Sequence, residues 1–243
     1  MSPGRAAHAL PNSRLVATHH IYGCQRAASV VLECPPNVTD FAMAGQAPHL
    51  STQPKSKQDF SILTVCTGNV CRSPAVERLL GQQLGPTVSV SSAGTHALIG
   101  QPISEPMARL LRREGVEDRA FAARLLTEKL VKEADLVLAL TRAQRRLVVD
   151  LWPPAVRRTF TVREFARLLA HVDPSALPDG TPSERLRIAM PLVVATRGLG
   201  RTSAAADDVI DPYRLSDGVY AASFADIAAA VDTVAGALKA GKA

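Results

Sequence analysis

A cysteine and an arginine with five residues between them, in Cys66-Thr67-Gly68-Asn69-Val70-Cys71-Arg72-Ser73, carry the clearest chemistry in this sequence. A thiolate is a strong nucleophile, and a guanidinium can hold two oxygens of one phosphoryl group in a bidentate fork. One glycine, Gly68, lies between them, and Pro74 follows. An apolar run before the loop reads as a buried strand. Proline then favours a helix start, because its missing N–H has no helical partner there. In an open α/β sheet such a loop lies at the carboxyl ends of the strands, where ligands bind. The helix after it aims free N–H groups and the positive end of its dipole at the loop, which makes an anion site and favours the Cys66 thiolate. A thiolate beneath a phosphate is placed for in-line attack on phosphorus, and positioning with charge stabilisation supplies most of what phosphoryl transfer needs. A bare Cys-x5-Arg-Ser string also arises by chance, and a cysteine that ends a strand can be a small packed residue. The strand before and the helix after give the string its weight.

The elements that must position this loop follow in alternation. Ser61 to Val65 reads as the first strand, with a helix from Pro74 to about Leu84. Thr87 to Ser92 is a second strand ending at Ala93-Gly94, and a helix over about Ser104 to Glu114 can be closed by Gly115. Thr127 starts a short helix, Asp135 to Leu140 is an apolar third strand, and Thr141 caps a helix to about Leu151. Arg158 to Thr161 reads as a fourth strand, with a helix from Arg163 to Ala170. Residues 172 to 182 form a Pro/Gly/Asp connection, Ser183 to Thr196 can be helical, Gly198 to Asp208 reads as a mobile loop, and the last helix spans about Val219 to Ala240. Strands alternating with helices predict an α/β fold: a small doubly wound sheet of four parallel strands flanked by helices, with the Cys66 loop after the first strand. The domain is expected over residues 60–243. Residues 1–59 hold Pro11, Pro35, Pro36, Pro48 and Pro54 without sustained periodicity and read as a disordered tail, with Met43 as a later candidate start.

Val65 through Pro74 closely resembles the signature of the low-molecular-weight protein tyrosine phosphatases. The similarity extends to Ser91-Ser92-Ala93-Gly94-Thr95, to Ala134-Asp135-Leu136-Val137-Leu138 and to Asp211-Pro212-Tyr213, covering most of residues 61–240. The resemblance implies hydrolysis of phosphotyrosine through a phosphocysteine intermediate on Cys66. Arg72 would bind the phosphate, with Thr67, Gly68, Asn69, Val70, Cys71 and Ser73 completing the substrate loop. Ser73 would donate a hydrogen bond to the Cys66 sulfur. Asn69 would hold the loop in a strained shape with Ser92 as its partner; a plain turn residue is the second reading of Asn69, since asparagine tolerates left-handed geometry. Asp211 resembles the family's general acid, which protonates the leaving tyrosine oxygen and then takes a proton from water. Pro212 would fix the backbone beside it, and Tyr213 would stack on the substrate ring. From the residues alone, Asp207 and Asp208 rival Asp211 as the acid.

The chain also departs from the family's pattern. Arg214 follows Tyr213 where members often carry a second aromatic residue. Thr95-His96-Ala97-Leu98-Ile99-Gly100 stands where many members place an aromatic wall, which resembles the bacterial branch acting on tyrosine kinases of polysaccharide export. That implies a phosphotyrosine protein, such as a kinase of this kind, as partner. Leu98 is read either as a pocket wall or as core, and His96 as a loop histidine. The stretch 172–205 is longer than in compact members and either shapes access to the site or is a passive insertion. Members with a second loop cysteine can close a reversible disulfide, so Cys71 is read both as a redox partner of Cys66 and as a packed residue. Arsenate mimics phosphate, so a reductase using a small-thiol partner is one rival. A catalytically silent phosphate-binding module is another, which intact Cys66, Arg72 and Asp211 disfavour.

Bulk composition narrows the remaining classes. With 47% apolar residues the chain can build a full core. Its net charge of +6 is spread among apolar residues, which reads as a solvated basic surface with no nucleic-acid partner. Four cysteines are too few for a disulfide scaffold in 243 residues and suggest a reducing cytoplasm, with no secretory leader evident. No stretch approaches the roughly 20 apolar residues of a membrane span. His19, His20 and Cys24 lack further ligands at metal-binding spacing, so no metal and no organic cofactor is expected.

Overall fold

A strand buried on both faces must be largely apolar, with any polar group partnered, and Phe60-Ser61-Ile62-Leu63-Thr64-Val65-Cys66 meets that demand: the Ser61 hydroxyl donates to Asp135 Oδ2 and the Thr64 hydroxyl to Ser73 O. In the computed structural model, which describes residues 60–198 and 204–239, these residues form β1 at the centre of a four-stranded parallel sheet. The expected tail, with His19, His20, Cys24 and Cys34, lies outside the described residues. The other strands are β2 (Val88–Gly94), β3 (Leu136–Ala139) and β4 (Thr159–Thr161), in the order β2-β1-β3-β4. β1 pairs with β2 in the register Thr64↔Ser92 and Cys66↔Gly94, and with β3 through Val65↔Ala139. The chain leaves β1 towards one side and later returns on the other. The carboxyl end of β1 is therefore a switch point of the topology, where an open α/β sheet leaves a crevice.

Helices cover both faces: α1 (Arg72–Leu84), α2 (Glu105–Arg113), α3 (Glu128–Glu133), α4 (Arg142–Leu151), α5 (Val162–Leu169), α6 (Pro182–Ala195) and α7 (Asp217–Lys239). Alternation along β1 divides the core. Phe60, Ile62 and Cys66 join the larger cluster with α1, α5, α6 and α7, whereas Leu63 and Val65 pack against Val131 and Val148 of α3 and α4. The expected helix starts at Thr127 and Thr141 form, each accepting from a backbone N–H of the first turn that follows, and Thr161, read as the end of a strand, caps α5 in the same way.

Three expectations need correction. α1 starts at Arg72, two residues before Pro74, since any N–H of a first helical turn lacks a helical partner and proline fits throughout it. The end of the Gly198–Asp208 stretch is tied down rather than loose: Asp207 pairs with Arg167, and Asp208 accepts from the Arg142 N–H. α7 is long and apolar enough to cross a membrane by length and composition, contrary to the reading of the sequence. Here Tyr220, Phe224, Ile227, Val231, Val234 and Leu238 are buried in the larger cluster. Within the 172–205 stretch, α6 buries Leu186, Ala189 and Val193, and its buried Arg185 donates to the carbonyls of Pro178 and Ala237. That helix builds core against α5, α7 and β1.

Candidate active site

β1 delivers Cys66 to its carboxyl end, and the chain must then turn tightly into α1. Asn69 makes the turn with a left-handed φ of 55°, a conformation asparagine tolerates best among residues with a Cβ. Four of the loop's carbonyls find partners outside it. Cys66 O accepts from Thr95 N, Thr67 O from His96 N, Gly68 O from Leu98 N and Val70 O from Ser104 N, each at 2.8–2.9 Å. Across a planar trans peptide the next N–H points the opposite way, so the amides of Thr67, Gly68, Asn69 and Cys71 turn inward. The Asn69 N–H donates to Cys66 Sγ at 3.2 Å, which agrees with that geometry. The result is a concave ring of donors at the start of α1, suited to an anion.

Cys66 is 2% exposed, and its sulfur lies 3.0 Å from Ser73 Oγ. Asn69 is fully buried behind the loop. Its Nδ2 donates to Ser73 Oγ at 3.0 Å and to Ser92 Oγ at 2.8 Å, while its Oδ1 accepts from the Arg124 N–H at 2.8 Å. Both readings of Asn69 thus hold together: it is a left-handed turn residue and a brace. The sequence reading placed Asn69 and Ser73 among substrate contacts. The side chains of these two residues, with that of Ser92, instead lie behind the cavity, where Asn69 Nδ2 ties the two serines together. Gly94 packs so tightly here that a Cβ would meet Thr67 O at 2.5 Å and the Asn69 nitrogen at 3.0 Å.

Arg72 is 3% exposed and reaches across to the segment before α7. Its Nη1 donates to Val209 O at 3.2 Å, and its Nη2 is ion-paired with Asp211. Val209 N is in turn held by Leu140 O at the end of β3, at 2.9 Å, and Ile210 O accepts from Ser223 of α7. The Asp211 side chain is 49% exposed, and its second oxygen accepts from Tyr213 N. Of the three rival acids, only Asp211 meets the loop; Asp207 and Asp208 turn to Arg167 and Arg142.

A cavity of about 150 Å³ joins these groups, with Cys66, Val70, Arg72, Leu98, Asp211 and Tyr213 in its lining together with Thr67, Gly68 and Cys71. Leu98 is therefore a wall rather than core, and its side chain lies over Gly68. His96 is an exposed loop histidine at the mouth of the same cavity. Cys71 is buried, with its sulfur 3.1 Å from Ser104 Oγ and 3.6 Å from the Tyr220 hydroxyl. Burial pushes its thiol up from the ordinary value, and both loop cysteines are free thiols.

The sequence reading did not find several supports of the site. The buried Gln144 donates to Thr67 Oγ1 and accepts from Leu140 N; Arg124 braces Asn69; Tyr220 backs Cys71; and Glu77 accepts from Ser92. None has a sequence signal of its own, because each reaches the loop through the tertiary fold. The start of the last helix was visible, but not that its tyrosine faced a cysteine 149 positions away.

Comparison with known proteins gives this geometry a family. The family model described as low molecular weight phosphotyrosine protein phosphatase matches residues 61–179. The chain is 37% identical over 100 residues to low molecular weight protein-tyrosine-phosphatase Ptp of Acinetobacter johnsonii, covering 41% of this chain and 70% of that protein. It is 37% identical over 106 residues to a protein-arginine-phosphatase of Geobacillus stearothermophilus, covering 44% and 71%. Among solved structures it resembles the YwlE arginine phosphatase of the same organism, with a TM-score of 0.55 and 27% identity, over 73% of this chain and 91% of that one. It also resembles the low molecular weight protein tyrosine phosphatase of T. tengcongensis, with a TM-score of 0.52 and 27% identity, over 72% and 97%. Relatives matched over more than two thirds of their length, a family model spanning all four strands, and a shared four-stranded fold place this chain in the family of low molecular weight phosphotyrosine protein phosphatases.

Proposed function

We propose that this chain hydrolyses phosphotyrosine in proteins, with Cys66 as nucleophile, Arg72 as phosphate clamp and Asp211 as general acid and base. One observation carries the reading: Cys66, Arg72 and Asp211 line one small cavity, the thiol at the inner end of an amide ring and the carboxyl on the segment facing it. An incoming phosphate dianion competes with Asp211 for the Arg72 fork. Once displaced, the carboxyl sits beside the dianion and takes up the proton it later gives away. The Cys66 thiolate attacks phosphorus, the S–P bond forms, the P–O bond to the ring breaks, and Asp211 protonates the departing tyrosine oxygen. In the second step water attacks the phosphocysteine and gives its proton to Asp211. The S–P bond breaks, and the Ser73 hydroxyl, 3.0 Å away, stabilises the returning thiolate.

The walls support an aryl substrate. Val70, Leu98 and Tyr213 present hydrocarbon and a ring above the loop, surfaces that suit a phenyl group. A relative named as a protein-arginine-phosphatase supports phosphoarginine as the second reading. The remaining N–H groups of a guanidine would then need acceptors, and the lining carries one carboxylate, already engaged by Arg72. The exposed apolar side chains of Ile99, Ile210 and Leu215 on the bordering loops favour a protein-sized substrate over a small ester. The aliphatic Ala97-Leu98-Ile99 stretch supports a tyrosine kinase of polysaccharide export as its source.

The test uses reduced full-length protein on an aryl phosphate, a phosphotyrosine peptide, a phosphoarginine peptide, and arsenate with a small thiol. Turnover of the first two is expected, abolished by Cys66→Ser. Selective turnover of phosphoarginine, or arsenate reduction without phosphatase activity, would reverse the assignment. No turnover of any substrate would leave a phosphate-binding module.

A further inference from the structure

Resting on the assignment of Cys66 as nucleophile, we infer that Glu77 is a positioning residue: its carboxylate terminates a hydrogen-bond chain that fixes the polarity of the Ser73 hydroxyl towards the reacting sulfur. The chain runs Glu77–Ser92–Asn69–Ser73–Cys66 and is continuous. Ser92 Oγ lies 2.5 Å from Glu77 Oε2, Asn69 Nδ2 lies 2.8 Å from Ser92 Oγ and 3.0 Å from Ser73 Oγ, and Ser73 Oγ lies 3.0 Å from Cys66 Sγ. α1 contributes Glu77 and Ser73, the loop contributes Asn69, and β2 contributes Ser92.

The direction of each bond follows from counting protons. An asparagine amide nitrogen only donates, and its two N–H groups go to Ser73 and Ser92. Each serine oxygen therefore accepts from Asn69 and has one proton left to give. Ser73 can give its proton to Cys66 Sγ. Ser92 needs a separate acceptor, and an ionised carboxylate is an acceptor only. Asn69 Oδ1 is held by the Arg124 N–H, and Arg124 Nε donates to Ser92 O, so the amide cannot flip to rescue a disordered Ser92.

Glu77 is also the link of this chain that the outside can reach. It lines a surface groove with Arg78, Gln82, Val90 and Glu117, on the outer flank of β2. Burial holds its carboxyl above the ordinary carboxylate range, and the Ser92 hydrogen bond with the Arg78 and Arg124 cations offsets only part of that rise. Nothing in the groove touches the catalytic cavity directly; the two share no lining residue. An effect of Glu77 on the chemistry must travel through Ser92.

The experiment is a double-mutant cycle on the full chain with an aryl phosphate. Glu77→Ala is expected to lower kcat about tenfold with KM changed less than about twofold, and to slow alkylation of Cys66 by iodoacetamide severalfold at fixed pH. Glu77→Gln, which keeps an uncharged acceptor for Ser92, is expected to recover part of both losses. On a Ser92→Ala background, Glu77→Ala is expected to cost little more, because the link it acts through is gone. Additive losses in that cycle, or wild-type kcat and alkylation in Glu77→Ala, would overturn the inference. If Glu77→Ala does not fold, the cycle is run with Glu77→Gln and read in the same way. Loss of all turnover in wild-type protein would instead sink the phosphatase reading, so the two failures are distinguishable.

Discussion

Replacing Asp211 by asparagine separates proton donation from every other role of that side chain. Asparagine keeps the shape and an oxygen that can accept from Tyr213 N, which Asp211 does at 3.2 Å. It loses the charge that pairs with Arg72, but a phosphate dianion displaces that pairing anyway. KM should therefore move by no more than about threefold. The magnitude on kcat follows from the leaving group. Tyrosine's hydroxyl has a pKa of about 10, so expelling bare phenolate near neutral pH forgoes about 3 units of protonation; at about 1.4 kcal/mol each this is roughly 4 kcal/mol, or a ceiling of about 10³-fold. An acidic nitrophenol leaves readily as its anion and should lose far less. The assay is kcat across a series of aryl phosphates of graded leaving-group acidity. Wild type should give a shallow dependence and Asp211→Asn a steep one, the two converging at the most acidic leaving group. A uniform loss across the series would refute the reasoning, since it would mean that Asp211 acts by holding Arg72 and not by moving a proton.

Gly94→Ala places a methyl group 2.5 Å from the Thr67 carbonyl, so β2 and the loop must part. We expect about 1–3 kcal/mol of lost stability by denaturant melts and a fall of about 10²-fold in kcat/KM, because the cradle shifts on the scale of an ångström; an active, unshifted variant would show that the loop tolerates the strain. Ile99 is 69% exposed and Leu215 55%, so changing both to serine should leave stability within about 0.5 kcal/mol. If these side chains meet the protein substrate, kcat/KM for a phosphopeptide with apolar flanks should drop roughly tenfold, and a small aryl phosphate should lose much less. Equal losses on both substrates would place the two residues in loop folding instead.

Local patterns in the sequence reached further for the fold than for the site's supports. The strand before Cys66 is readable because a central parallel strand must be largely apolar, and the helix starts at Thr127 and Thr141 because capping chemistry is local. The pairing of Asn69 with Ser92 came from family resemblance, not from the residues themselves. It depends on the register Thr64↔Ser92, which no local pattern reports. Glu77 illustrates the limit. On α1 it looks like any solvent-facing glutamate, and only the placement of β2 beside that helix turns it towards Ser92. Leu98 stood equally as wall or core, because the aliphatic residue types are the same for both. The bond from its N–H to the Gly68 carbonyl pins it over the loop and decides the matter. α6 was legible as a helix, but its contribution to the core was not, since Pro191 and Arg185 disguise the face it buries.

Phosphoryl transfer through a cysteine asks two opposed things of one site. The phosphate ring must not move, because its amides stabilise charge only if they are already in place. The acid must move, because it has to release Arg72 when substrate arrives and then serve two proton transfers. The fold assigns these demands to different parts. Cys66, Asn69, Ser73 and Arg72 are all buried, and the loop carbonyls are held from the segment after β2 and from the approach to α2. Asp211 stands half-exposed on a short segment anchored at its root by Val209 N to Leu140 O and by Ser223 Oγ to Ile210 O. Those anchors lie on the two residues immediately before the carboxylate, so Asp211 can swing away from the guanidinium without unseating the segment. Val209 O also keeps one end of Arg72 in position while its other end exchanges a carboxylate for a phosphate. In the mechanism proposed above, rigid nucleophile and hinged acid therefore meet at a guanidinium that is fixed on one side and free to trade partners on the other.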